Sequence, residues 1–379
     1  MEGKKRCGIL TINVSLMNYG NRLQNYALQQ ILVKLGCSPY TIDYTPTYPE
    51  VSYKSSTSLS MKKNCREKVY GIINLIKRRI FFFRNRIANH KKMIGYEEFI
   101  RTKIVWTKRH YSVDTNLSEL EKFDYMIVGS DQVWNPFWEG TQPIYFMDFM
   151  SVNKRIAYAA SFGVSYIPEE VEESYKKHLE AIPSISCREE QGCDIVENLT
   201  GKRPLQVLDP VFLLGKDEWE TIEVKPKYFR EKRPYILVYF LGDLTEKNVL
   251  LIKRLRILYR CSVFYLDQKD KFSSIFASPT EFLYLVHHAA IVCTDSFHGC
   301  AFSIVFNRPF VCFQRSLNFG KAQDMSSRLT SLFRLFQCDR YDTVLSDLEM
   351  GYMDYTVINE IIRKEKEKSI HFLENAMNA

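Results

Sequence analysis

The stretch 8-GILTINVSL-16, 21-NRLQNYALQQILVKLG-36 and 40-YTIDY-44 decides the fold class. The first piece is a short apolar run of strand character. In the second, Leu23, Tyr26, Ala27, Gln30, Ile31 and Lys34 recur at three-to-four spacing. That spacing predicts an amphipathic helix, with Gly36 as its C-terminal stop. The third piece is again a strand. Strand, helix and strand in this order form a βαβ unit, the start of a layered α/β domain. Low-complexity polar sequence, 51-VSYKSSTSLSMKKN-64, follows as a loop.

The same rhythm extends along the chain. The segments 124-DYMIVGSDQVWNP-136 and 156-IAYAASFG-163, a Glu-rich helix over 169–182 and a boundary strand near 205-LQVLDPVFLL-214 continue the first domain. The run 223-EVKPKYFREKRP-234 reads as a link. Beyond it the pattern restarts: strand 235-YILVYFL-241, helix 245–258, strand 260-RCSVFYL-266 and a short helix at 280–289. Strand 290-AIVC-293, a helix beginning near His298 and strand 309-PFVCF-313 complete it. A patterned tail, 355-YTVINEIIRKEKEKSIHFLENAM-377, predicts a long terminal helix.

Bulk properties narrow the class. The 379 residues are 46% hydrophobic and 25% charged, as in ordinary globular proteins. No apolar run reaches the roughly 18–20 residues that span a bilayer. The basic 1-MEGKKRC-7 leads into a core strand rather than a secretory leader, so a cytoplasmic location is expected. The ten cysteines are scattered without a C-x2-C pair and read as reduced structural thiols. No ligand spacing for a metal stands out, and His287 and His288 read as structural or surface residues.

Charge is uneven. The chain carries +8 overall, yet residues 62–109 hold fifteen Lys/Arg and three Glu, so the remainder is negative. Within this insertion, 71-GIINLIKRRIFFFRNRIANHKKM-93 predicts a helix with the apolar stripe Ile73, Ile76, Ile80, Phe83 and Ile87. The stripe packs on its own domain in one reading. In the other, residues 71–92 touch an anionic membrane surface peripherally. No nucleic-acid-binding motif accompanies the charge.

P-loop, dinucleotide, zincin and nucleophile-elbow signatures are all missing. What remains are four polar blocks just beyond strand ends, where open α/β sheets hold ligands. The first, 17-MNYGNRLQN-25, offers Asn18, Gly20, Asn21 and Arg22: a tight turn, helix N–H groups and a forked cation, or simply a helix cap. The second, 129-GSDQVWNP-136, offers Ser130, Asp131 and Trp134, the last as a stacking platform or a core anchor. The third, 186-SCREEQGC-193, places Arg188 to pair with its glutamates or to grip carboxylate or phosphate. The fourth, 294-TDSFHGCAFS-303, brings Ser296, His298 and Gly299 to a strand-to-helix junction, with Arg308 and Arg328 as nearby cations. His298 there is a proton shuttle or a capping residue.

The blocks 18-NYGNRLQNYALQQIL-32, 129-GSDQVWNP-136, 186-SCREEQG-192, 207-VLDPVFLL-214 and 294-TDSFHGCAFSIVFNRPFV-311, in this order, resemble the polysaccharide pyruvyl transferase family. The resemblance runs from about residue 8 to about residue 340. It implies a glycosyltransferase-B-like α/β fold: two Rossmann-like domains face a cleft and a C-terminal helix returns to the first. The expected boundaries are 1–225, containing the basic insertion, then 226–350, then the crossover helix 351–379. It further implies transfer of pyruvyl from phosphoenolpyruvate to a sugar of a surface-polysaccharide precursor, forming a ketal and releasing phosphate. The acceptor would be lipid-linked or nucleotide-linked at the inner face of the membrane, and no metal or nucleotide cofactor is called for. His298 corresponds to the family's histidine, and Arg188 to an arginine with a ligand role. Where relatives read Arg-Leu-His, this chain has 296-SFH-298, so Ser296 replaces a substrate-binding arginine. Helix N–H groups, Arg308 or Arg328 would then compensate. Nucleotide-sugar glycosyl transfer and a non-catalytic assembly role are the alternatives; sequence does not specify the oligomeric state.

Overall fold

A computed structural model describes residues 3–13, 18–45, 86–137, 143–227, 229–231, 233–268, 273–315, 326–338 and 353–378. The first unit contains β1 (Arg6–Leu10), α1 (Tyr19–Lys34), β2 (Ser38–Thr45), a helix α2 over 86–103, β3 (Trp106–Ser112), β4 (Tyr125–Asp131) and β5 (Arg155–Ala160). It continues with α3 (Glu169–Glu180), β6 (Ser184–Cys187), α4 (Glu190–Thr200), β7 (Leu205–Gln206) and α5 (Lys216–Glu220). The second contains β8 (Tyr235–Tyr239), α6 (Glu246–Leu258), β9 (Ser262–Leu266), β10 (Ser274–Ile275), α7 (Pro279–His287) and β11 (Ile291–Thr294). Then come α8 (Phe297–Val305), β12 (Phe310–Cys312), α9 (Ser326–Leu335) and the tail helix α10 (Tyr355–Ala376).

Both sheets are parallel and wound alike. The first runs β3-β2-β1-β4-β5-β6-β7 and the second β10-β9-β8-β11-β12. Each reverses direction beside its first strand, between β1 and β4 and between β8 and β11. This is the Rossmann strand order, and such a switch point opens a crevice at the strands' carboxyl ends. The central strands are largely buried, Arg155–Ala160, Tyr235–Tyr239 and Ile291–Thr294 completely, because helices cover both faces. The architecture is therefore α/β with two Rossmann-like domains, as the resemblance implied.

Helix α1 starts at Tyr19, two residues before the apolar pattern predicts, because the Asn18 side chain accepts the Asn21 N–H at 3.2 Å. Its first two turns are buried on nearly every side, not on one stripe. The cause is tertiary: α1 lies between the two units. Tyr19 stacks on Phe282 of α7, and Trp219 after β7 meets both Tyr26 of α1 and Phe302 of α8. One apolar cluster consequently runs through both domains.

Two local expectations change. Only Leu205–Gln206 of the boundary segment is strand, because Asp209 caps a single turn over Pro210–Phe212 and proline has no N–H to continue a ladder. Residues 71–85 of the basic segment lie outside the described residues, and with them most of its apolar stripe. Its one described member, Ile87, is exposed. The buried side of α2 instead runs through Lys92, Tyr96 and Phe99.

The tail helix docks on the first domain. Ser369 Oγ accepts the Leu208 N–H at 3.0 Å, Lys5 donates to the Met377 carbonyl at 2.8 Å, and the Tyr125 hydroxyl donates to the same carbonyl. Among the described residues no helix is long and apolar enough to cross a membrane.

Candidate active site at the domain junction

The fourth sequence block closes strand β11 and opens α8. Asp295 accepts the Leu241 and Gly242 N–H groups at 2.7 and 2.8 Å, tying the ends of β8 and β11 together at the second switch point. Ser296 is the helix N-cap, its hydroxyl accepting the Gly299 N–H at 3.3 Å. These bonds hold the first turn of α8 rigidly. His298 in that turn crosses to the first domain, where its ring lies on the backbone of Gly20. A Cβ built on Gly20 would stand 1.9 Å from His298 Nδ1, so only glycine permits this approach.

Asp209 is the hub that His298 meets. Its Oδ2 lies 3.6 Å from His298 Nε2, accepts Arg188 Nη1 at 2.9 Å and accepts the Ser130 hydroxyl at 2.8 Å. Its Oδ1 takes the Val211 N–H at 3.0 Å. Burial by itself would push this carboxyl up. The His298 imidazole, the Arg188 guanidinium and the Val211 N–H outweigh burial and hold it well below the usual carboxylate range. Asp209 thus stays ionised. The Nε2 atom of His298 makes no hydrogen bond and is buried.

Arg188 follows β6 and is itself buried. Its guanidinium stands 4.5 Å from the Phe297 ring centroid and 3.6 Å from Glu189. Burial opposes its charge, but Glu189, Asp209 and Asp131 together raise its pKa. Glu189 in turn accepts the Ser161 hydroxyl. Asp131 ends β4 with φ of 125°, a conformation that non-glycine residues rarely hold. The turn aims its carboxylate at Asn21 Nδ2, 2.9 Å away across the first switch point. Asn21 also donates to the Ile12 carbonyl at 2.8 Å.

The two candidate compensating arginines part company. Arg328, on α9, is buried beside Arg188, Glu189 and Asp131; burial first, then Arg188, push its pKa down to about 10. It remains charged at neutral pH. With its carboxamide oxygen turned toward the guanidinium, Gln132 accepts from Arg328 at 2.8 Å. Ser331 anchors α9 by accepting the Glu190 N–H at 3.1 Å and donating to Gln191 at 2.8 Å. Arg188, Asp209, Phe297 and Arg328 line a cavity of about 20 Å³, room for about one water. Arg308, by contrast, lies past the other end of α8, where its charge acts on Tyr235 and His287.

Three further predicted residues have local roles. Trp134 is fully buried, stacks on Phe146 and donates its indole N–H to the Tyr145 carbonyl at 3.1 Å. It anchors the core and does not face the cleft. Arg22 donates to Asn13 at 3.2 Å, with its guanidinium 5.9 Å from the Trp106 ring. Gly299 packs on Thr294, whose Oγ1 would be 2.4 Å from an added Cβ.

Sequence reading missed Asp209 as a site residue, although its position before Pro210 is a helix-cap signal. It also missed Phe297, and a second junction cluster in which Lys92 pairs with Asp267 at 2.5 Å while the Tyr19 hydroxyl donates to the same carboxylate at 2.8 Å. Nothing local in the sequence joins residues so far apart.

A family model described as polysaccharide pyruvyl transferase matches residues 18–316. That span includes every residue of the Asp209 hub. No curated protein matches the chain. Among solved structures, the UDP-N-acetylglucosamine 2-epimerase from Rickettsia bellii is similar at 10% identity and TM-score 0.48, over 99% of this chain and 97% of that one. A glycosyltransferase from Rickettsia africae is similar at 10% identity and TM-score 0.47, over 99% and 100%. The UDP-GlcNAc 2-epimerase from Neisseria meningitidis, bound to UDP-GlcNAc, is similar at 10% identity and TM-score 0.43, over 96% and 100%.

Proposed function

Because the chain belongs to the polysaccharide pyruvyl transferase family, we propose that it moves the pyruvyl group of phosphoenolpyruvate onto a sugar of a polysaccharide precursor as a ketal. The observation that carries this reading is the meeting of His298 with Asp209 and Arg188 across the facing switch points. Protonation of the donor's methylene carbon makes the adjacent carbon electrophilic. A sugar hydroxyl attacks there, the bond to phosphate oxygen breaks, and a second hydroxyl closes the ketal. One hydroxyl proton replaces the one spent on carbon, and the other leaves with phosphate.

In this reading His298 is the general acid, acting through Nε2, and regains its proton from the sugar hydroxyl. Asp209, ionised throughout, steadies the imidazolium and keeps the ring aimed. Arg188 and Arg328 receive the donor's anionic groups, with Arg328 taking the place of the arginine missing at Ser296. The positive end of the α8 dipole adds to the same field. A cavity with room for one water does not admit phosphoenolpyruvate, so the donor enters by parting α9 or the two domains. The chemistry so written uses phosphoenolpyruvate as co-substrate and no further cofactor.

Incubating precursor with enzyme and phosphoenolpyruvate tests this directly. The expected product gains the mass of pyruvic acid less one water, with an equivalent of phosphate released, and His298→Gln abolishes both. Transfer or hydrolysis of a nucleotide sugar, with no dependence on phosphoenolpyruvate, would overturn it.

A further inference from the structure

At the far end of α8 from His298, a second cluster joins the segment after α5 to the last turn of α7. Glu223 lies between two imidazoles: its Oε2 is 2.9 Å from His287 Nδ1 and its Oε1 3.1 Å from His288 Nε2. Ligand atoms from these three residues all fall within 4.8 Å of one another. Glu220 stands behind, its Oε1 3.4 Å from His287 Nε2. The rings are held in place, since His287 stacks on Phe306 at 4.6 Å and His288 packs on Tyr284 at 4.1 Å.

Both nitrogens of His287 face a carboxylate, yet a neutral imidazole carries only one N–H. If Nε2–H points to Glu220, the Nδ1 lone pair opposes the Glu223 oxygen. A cation between them removes that conflict. An outer carboxylate that fixes the tautomer of a ligating histidine is the usual support of a zinc site.

We propose that Glu223, His287 and His288 form a divalent transition-metal site of the zinc class, clipping the interdomain segment to α7. Two imidazoles and a carboxylate suit zinc, and the exposed His288 side leaves the fourth position to water. The charged groups nearby are Lys216, 3.6 Å from Glu220, and Arg308 on the His287 side; the two glutamates offset them. The site is separate from the transfer chemistry and stands or falls without it.

The test uses the full chain without an affinity tag, stripped by chelator and then equilibrated with zinc. Elemental analysis after desalting is expected to find one equivalent bound, and zinc to raise the thermal midpoint. His288→Ala alters an exposed side chain; it should abolish both effects, and Glu220→Gln should weaken binding by about tenfold. Cobalt(II) should give ligand-field bands in the wild type and none in His288→Ala. Failure to retain zinc would overturn the proposal, as would undiminished retention by His288→Ala, which would assign the metal to cysteines instead.

Discussion

The imidazole of His298 rests on the backbone of Gly20, joining the switch points of the two sheets at a distance no side chain could share. Gly20→Ala would put a carbon 1.9 Å from Nδ1 and force the ring away. Displacing a reacting group by about 1 Å costs on the order of 100-fold in rate. The expected result is a loss of kcat/KM for pyruvyl transfer of at least about that size, with the circular dichroism spectrum retained. Near wild-type turnover in Gly20→Ala would separate His298 from the chemistry.

Asp209 gives a pH prediction. Its folded pKa is depressed, so its contribution to stability is full above the unfolded value near 4 and is lost as pH falls toward the folded one. Asp209→Asn takes from buried Arg188 the carboxylate it donates to, at a cost of about 3–5 kcal/mol at neutral pH. Denaturant midpoints measured from neutral to acid pH should converge for variant and wild type as acid removes the same interaction. A constant gap across the range would show that the carboxylate's charge is not what stabilises the hub.

Arg328 and Arg308 make a matched pair of substitutions. On the proposed function, Arg328→Lys removes a forked donor beside Arg188 and should raise the KM for phosphoenolpyruvate by about tenfold or more. Arg308→Lys, at the other end of α8, should change it by less than about twofold. Steady-state phosphate release measures both. Equal effects would mean that the site reaches beyond the Asp209 hub.

Trp134 separates packing from binding. Trp134→Ala opens a cavity among Phe146, Phe162 and Tyr145 and should cost about 3–5 kcal/mol, read from chemical denaturation. Whatever protein remains folded should bind donor with unchanged affinity. A selective loss of affinity without loss of stability would return Trp134 to the binding surface.

The central strands could be read from the chain because both their faces are buried. Tyr125–Val128, Tyr235–Leu241 and Ile291–Cys293 are short continuous apolar runs, each followed by Gly or a polar residue. Edge strand β3 could not. It carries Trp106, Lys108, Arg109 and His110, the last three exposed, so its alternation has no apolar face to announce it. The site was legible block by block for the same reason as the strands: polar residues after a buried run mark a carboxyl-end crevice. Asp209 escaped because its signal is local capping, while its task lies in contacts with residues 21 and 89 positions away along the chain.

What the sequence determined by itself was the periodicity of burial, and hence two successive α/β units, their strand ends and the polar residues gathered there. Family resemblance named His298 and Arg188 in the same way, one block at a time. Tertiary structure alone decided which blocks meet. It brought Gly20, Asp209 and His298 together, set Arg328 beside Arg188 and Arg308 near His287, and turned Trp134 into core. The reason is physical: periodicity reports the environment of each element, whereas a site depends on distances of a few ångströms between elements, set by how two sheets and a shared apolar core pack.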